Sequence, residues 1–289
     1  MSNNFQIIED GYNTSYIVSL ITALFYKFDN YNKLLDIDPK NKKFVYIQEF
    51  IKIKFNTSIQ KGFCIYSETI NEFRNYINYC GWQENIDDML KEHDVADFYS
   101  YIMNGMYGSN MFIFEKINNN NNNNNNYSGN LNNEEFRTSI IDIPISSSNR
   151  DDNEFHELET TNLSNLFKSW INRHITMNKE YSYKMTKYFN ILPIRIRRQY
   201  NCNTKINIMK YIKLFDISDA VQGNLIWKIQ SIICYKKTTG YYSVILDQEN
   251  WVMISDKMIP SIKIIDMTSK KDVDDISENV VMVFYKYHK

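Results

Sequence analysis

NTSYIVSLITALFY, Asn13–Tyr26, decides how this chain is read. Ile17, Leu20, Ile21, Leu24 and Phe25, continued by Phe28, recur at the spacing of a helix that buries one face. Asn13 or Thr14 stands where an N-cap side chain accepts a hydrogen bond from a free backbone N–H. Ser15 therefore falls in the first turn of a buried helix.

Outward from that helix the first part of the chain stays helical. KFVYIQEFIKIKFN (Lys43–Asn56), SETINEFRNYINYCGW (Ser67–Trp82) and HDVADFYSYIMNGM (His93–Met106) all read as helices. The last opens on acidic residues, which suit a helix N-terminus. Asn118–Asn126 is an uninterrupted asparagine run, with no apolar surface to offset the entropy of ordering, and reads as a disordered insert.

After the insert the texture changes. SIIDIPIS, ILPIRIRRQY, LIWKIQSIICY, YYSVILD, NWVMIS, PSIKIID and NVVMVFYKY are short β-branched or aromatic runs separated by polar turns, hence strands. One helix, NLSNLFKSWINRH (Asn162–His174), interrupts them. Helices first and antiparallel strands afterwards predict an α+β fold. It divides into a helical part over 1–117, the insert over 118–135 and a strand-rich part over 136–289.

Composition excludes several functions. The 289 residues are 43% hydrophobic and carry a net charge of -1, so the chain can build a core and has no basic stripe for nucleic acid. The asparagine, lysine, isoleucine and tyrosine bias is what AT-rich codons produce. The four cysteines, Cys64, Cys80, Cys202 and Cys234, form no C-x-x-C pair, so neither a zinc ribbon nor any other metal or cofactor is expected. No apolar signal precedes them, and no apolar run reaches the ~18 residues of a membrane span. The expectation is a soluble intracellular protein with reduced thiols, not bound to membrane.

Four blocks in order carry a resemblance to the ubiquitin-specific proteases, nearest to the small cylindromatosis-type members. NTSYIVSLITALFY resembles the nucleophile box, N-T-C-Y-x-N-S before an apolar helix. EHDVADFYSYI resembles the second box, Q-Q-D-A-x-E-F. TGYYSVILDQENWVMISD resembles the histidine box, G-H-Y followed by W-x-x-F-D, and ENVVMVFYKYH the closing strand. ILPIRIRRQYN and TKINIMKYIKLFDIS match strands between them more weakly. The resemblance implies a papain-like fold with a helical thumb and an antiparallel β palm. Too little chain between Ile171 and Asn190 remains for a zinc-bearing hairpin, so the fingers are expected to be reduced or absent.

The resemblance also places the catalytic seats, and each holds the wrong chemistry. Ser15 takes the nucleophile position, Tyr241 the histidine position and Ser255 the aspartate position, with Asp256 beside it; Asp10 takes the oxyanion-stabilising position. A helix dipole contributes about 0.3–1 kcal/mol, too little to activate a hydroxyl that needs an adjacent general base. A phenol with reference pKa about 10 is a donor, not a base, at neutral pH. Negative charge at Asp10 would oppose a developing oxyanion. None of His93, His156, His174 and His288 occupies the base position.

In the family, acids of the second box face the channel for ubiquitin's arginine-bearing tail. Asp94 and Asp97 align with them and can pair with arginine, although two acids in a first helical turn also favour the dipole. The resemblance thus implies an inactive relative that binds ubiquitin, a ubiquitin-like modifier or another protein. The alternatives are an unconventional thiolesterase or isopeptidase, and a structural or virion component reusing the scaffold.

Overall fold

A computed structural model describes residues 7–26, 35–83, 85–108, 111–118, 135–145, 160–175, 181–199, 202, 204–213 and 225–288. From Asn119 on, the asparagine run lies outside the described residues, as does His156.

Every residue of helix α1 (Ser15–Phe25) is buried. A helix apolar on all sides must be surrounded. Around α1 lie a helical layer and the middle of a large sheet. The helical layer comprises α2 (Phe44–Phe50), a π-helical turn (Ile51–Asn56), α3 (Thr57–Lys61), α4 (Ser67–Tyr79), α5 (Ile86–Met89) and α6 (Val95–Tyr107). The predicted helix over Lys43–Asn56 thus runs on to Lys61 through the π-turn. Phe55, Phe73 and Phe98 are fully buried where these helices meet. Phe55 and Phe73 pack edge-on at 4.9 Å, worth about 0.5–1.5 kcal/mol beyond area burial. The Phe44 ring lies so close to Gly105 that no side chain fits there, which brings α2 onto α6.

Strand β1 (Phe112–Asn118) begins inside the stretch read as helical and lies between β2 (Glu135–Thr138) and β5 (Tyr181–Lys187) in a small antiparallel sheet. The chain also forms β3 (Ile141–Ile145), β4 (Thr160–Asn162), α7 (Leu163–Ile175) and β6 (Ile191–Arg198). It continues with β7 (Lys205–Asn207), β8 (Tyr211–Lys213), β9 (Ile226–Lys236), β10 (Gly240–Asp247), β11 (Asn250–Ile254), β12 (Ile262–Ile265), α8 (Lys270–Asn279) and β13 (Val280–His288). The large sheet runs β12-β11-β10-β9-β13-β6-β3, with β8 also on β9. It is antiparallel except at β3, which pairs parallel to β6; β4 and β7 form a second parallel pair.

All seven strands expected after the insert form and make up this sheet. Alternation decides which residues meet α1. Ser243 donates its hydroxyl to the Ser19 carbonyl at 2.8 Å and Ser231 to the Ala23 carbonyl at 2.7 Å. The Ser231 hydroxyl thus meets a last-turn carbonyl that has no partner within α1, and Ser243 adds a second donor to a carbonyl in the middle of the helix. Val244, Leu246 and their partners point to the other face, where α8 lies. Among the described residues no helix is long and apolar enough to cross a membrane.

Candidate functional site

The start of α1 does not carry the side-chain cap its sequence suggests. Thr14 stands at the N-cap, but its hydroxyl turns away from the helix, accepting the Gly11 N–H at 2.7 Å and donating to Asp10. Asn13 sits at φ 53 and donates its amide to the Leu90 carbonyl at 3.0 Å. Both side chains tie the entry loop down instead of serving the first turn.

Ser15 is 3% exposed and its hydroxyl is fully engaged. It donates to Glu92 and accepts the backbone N–H of Tyr241 at 3.0 Å. One oxygen therefore joins three segments: α1, the loop before α6, and the start of β10. The approach is so close that a Cβ on Gly240 would sit 2.6 Å from the Ser15 hydroxyl and 2.8 Å from the Glu92 carboxylate.

Tyr241 touches Ser15 through its backbone, while its ring leads elsewhere. The ring packs on Tyr235 at 4.7 Å, and its hydroxyl reaches the Val95 backbone at the start of α6. Burial, with the Asp94 and Glu92 charges adding, pushes the phenol well above its usual range. Tyr241, expected at the histidine position, is thus held protonated.

Ser255 is buried at the end of β11, its backbone N–H donating to the Ser261 carbonyl at 2.9 Å. Its neighbour Asp256 accepts the Asp10 N–H at 2.6 Å. The Asp10 side chain is 2% exposed and pairs with Lys257 at 2.6 Å. Asp10, expected at the oxyanion position, is a buried carboxylate whose charge is met by an ammonium, beside a second carboxyl.

Burial raises the Asp256 pKa, and the Asp10 charge adds to the rise, against the Asp10 N–H and Lys257, which lower it. A carboxyl that holds its proton more tightly when folded lowers stability as pH rises from the unfolded value, 3.8, through the folded one. Asp256→Asn should therefore match the parent in strong acid, near about pH 3, and exceed it near about pH 7. Urea midpoints at the two pH values test this; a loss confined to neutral pH would show that the ionised carboxylate is needed.

Asp94 and Asp97 meet on an arginine of the same chain. Asp94 caps α6, accepting the Ala96 and Asp97 N–H groups at 2.8 and 3.0 Å. Its other oxygen lies 3.1 Å from the Arg195 guanidinium, which Asp97 reaches at 2.8 Å. Asp142, opposite Arg195 across β3 and β6, is 3.7 Å away. Burial works against the guanidinium charge, but the three carboxylates outweigh it and hold the Arg195 pKa above its usual range. The two acids thus serve as a cap and as a guanidinium site at once.

Among the described residues no histidine side chain hydrogen-bonds the Ser15 hydroxyl. His93 shares a hydrogen bond at 2.6 Å with the Asp88 carbonyl and packs edge-on against Tyr16 and Trp82. His288 lies at the end of β13 beside Tyr211. The side chain of His174 lies outside the described residues. Among the described residues no three His, Cys, Asp or Glu gather as a metal site.

Glu92, Arg195, Asp142 and Lys257 were not foreseen. Glu92 opens the block that carries the second-box likeness, where the pattern has its first glutamine. Arg195 is the first charge after the apolar run Ile191–Ile194 of β6, a signal that a buried charge seeks a partner.

A scan of protein-family models finds no match, and neither does a search of curated protein sequences. Solved structures do match. A chain of the yeast SAGA DUB module with a mutant Sgf73 superposes with TM-score 0.58 at 10% identity, over 99% of this chain and 69% of its own. A chain of the Ubp8/Sgf11/Sus1/Sgf73 module bound to monoubiquitin gives 0.57 at 10%, over 99% and 70%. A further structure of the Ubp8-Sgf11-Sgf73-Sus1 module gives 0.54 at 12%, over 98% and 67%. At such identities the likeness shows the fold alone. The chain has the α+β ubiquitin-specific-protease fold.

Proposed function

We propose that this chain is a catalytically inactive protein of ubiquitin-specific-protease fold that works by binding another protein, with ubiquitin or a ubiquitin-like modifier as its partner. The observation that carries the reading is the clasp around Ser15. Among the described residues no imidazole hydrogen-bonds that hydroxyl, and its proton goes to a carboxylate, a weaker base than imidazole by about two pKa units. The N–H that could have met an oxyanion is spent on the hydroxyl itself.

The Asp94–Asp97 pair supports the choice of partner, since it already receives a guanidinium. A second reading, a structural protein with a filled tail channel, draws on the same fact and on the Tyr241 ring lying at the start of α6. Calorimetric titration of monoubiquitin separates them. Saturable binding, weakened by Asp94→Lys with Asp97→Lys, favours the partner reading; no heat up to millimolar concentrations favours the scaffold.

Inactivity has its own test. A fluorogenic ubiquitin C-terminal substrate should turn over at the uncatalysed background, with or without Ser15→Ala. Ubiquitin bearing a C-terminal electrophile should label none of Cys64, Cys80, Cys202 and Cys234. Turnover that depends on Ser15 would restore the unconventional hydrolase.

A further inference from the structure

β9 changes partners in mid-strand. It pairs with β8 as far as Lys228 and with β10 from Ser231 on, while β13 follows its other edge throughout. The β9–β13 register slips between Ile229 and Ser231, which makes Gln230 a bulge residue. Both side chains at the slip therefore reach α1: Gln230 and Ser231 donate to the same Ala23 carbonyl, at 3.4 and 2.7 Å. Phe284 is the partner of Ser231, and Lys286 follows it by two residues, so Lys286 and Lys228 opposite it point to this α1 face. His288 does the same two residues further on.

The helix stops short of the lysine pair. α1 continues only about 3 Å beyond Ala23, whereas Lys228 lies roughly 7–10 Å along the strand from Ser231. A recess of about 240 Å³ opens there, lined by Lys228, Gln230, Lys286 and His288. Ile229, Leu246 and Tyr287 line it too, closing it from behind, because their side chains alternate to the far face.

Two groups in this recess lack what they need. Lys228 and Lys286 are like charges directly opposite each other, an arrangement that repels. Among the described residues no carboxylate lies within ion-pair distance of either, and the carbonyl end of α1 offers only about half a negative charge. Gln230 is 2% exposed. Its amide NH2 is turned to the Ala23 carbonyl, which leaves its Oε1 facing away from the helix with no hydrogen-bond partner. A buried acceptor without a donor is destabilising.

We propose that this recess binds a small hydroxylated anion, a phosphate or carboxylate carried on a short polyol. The anionic head lies between Lys228 and Lys286, where it removes their repulsion and accepts charge-assisted hydrogen bonds from both. A hydroxyl of the body donates to the Gln230 Oε1. An anion without hydroxyls would leave the glutamine unmet, and a neutral polyol would leave the lysines opposed. The recess is smaller than drug-sized pockets, which begin at about 300 Å³, so the body is a chain of a few carbons. The site is separate from the clasp at Ser15, at the other end of α1.

The test is a calorimetric titration of the full chain with glycerol 3-phosphate and with glycerate. Saturable binding is expected, and the tighter of the two identifies the head group. Propyl phosphate and propionate, the same heads without hydroxyls, should bind roughly tenfold more weakly. Lys228→Ala with Lys286→Ala should weaken the hydroxylated ligand by roughly tenfold or more; both lysines reach solvent, so the fold should tolerate the change. Gln230→Leu should erase the preference for hydroxylated over plain anions and leave the plain ones unchanged, with Gln230→Met as the substitute should near-ultraviolet circular dichroism show disturbed packing. No saturable binding of either ligand, equal affinity for hydroxylated and plain anions, affinity untouched by the lysine pair, or a preference that survives without Gln230 would each overturn the proposal.

Discussion

Gly240→Ala should lower folding stability by about 3 kcal/mol, the largest single-site loss expected here. Two penalties add. Gly240 sits at φ +73, in the left-handed region, where a Cβ costs on the order of 1–2 kcal/mol. That Cβ would also lie 2.6 Å from the Ser15 hydroxyl and 2.8 Å from the Glu92 carboxylate. Neither neighbour can swing aside freely, because each is the other's hydrogen-bond partner. Overpacking of such a site costs about 1–3 kcal/mol. Thermal unfolding should fall by roughly 6–10 °C. Combining Gly240→Ala with Ser15→Ala should return part of the packing penalty and none of the conformational one. If Gly240→Ala costs no more than a few tenths of a kcal/mol, the clasp around Ser15 gives way easily and the cleft is open to substrate.

Arg195→Ala should cost about 2 kcal/mol, between the values for exposed and buried ion pairs. The Arg195 side chain is 16% exposed, while Asp94 and Asp97 are 44% and 57% exposed, so solvent screens much of the repulsion left behind. The deficit should shrink in high salt, which a purely steric loss would not do. Arg195→Lys should not restore stability, because one ammonium lacks the fork that spans two carboxylates. If Asp94 and Asp97 also take a partner's arginine, the same Arg195→Ala change should strengthen monoubiquitin binding while weakening the fold. Opposite signs in the two measurements would identify Arg195 as an internal occupant of the partner's site. Parallel losses would make the cluster purely structural.

The buried helix and the late strands were legible because their patterns are local. α1 shows its period within eleven residues, and β9, β10 and β13 are runs rich in β-branched and aromatic residues bounded by turns. α8 was missed because, in KKDVDDISEN, burial reaches only Ile276 and Ser277, too little for a periodic signal. β1 and β5 form a pair across more than sixty residues, which no local pattern announces. The residues expected at the catalytic positions were named from identity alone. Their contacts were not legible, since Glu92 meets Ser15 across 77 positions and Arg195 meets Asp97 across 98. Partners so distant are fixed by topology, and the sequence there shows only an unexplained charge.

The serines that reach from β9 and β10 to α1 have a consequence for how the chain comes off the ribosome. α1 is complete by Phe25, yet the hydroxyls that donate to its Ala23 and Ser19 carbonyls belong to Ser231 and Ser243. At about 5–20 residues per second, synthesis separates these events by on the order of ten seconds or more. Through that interval a helix apolar on every side has only the early helices to shelter it. Such a nascent chain is a natural client for a chaperone that holds apolar segments until the last strands arrive.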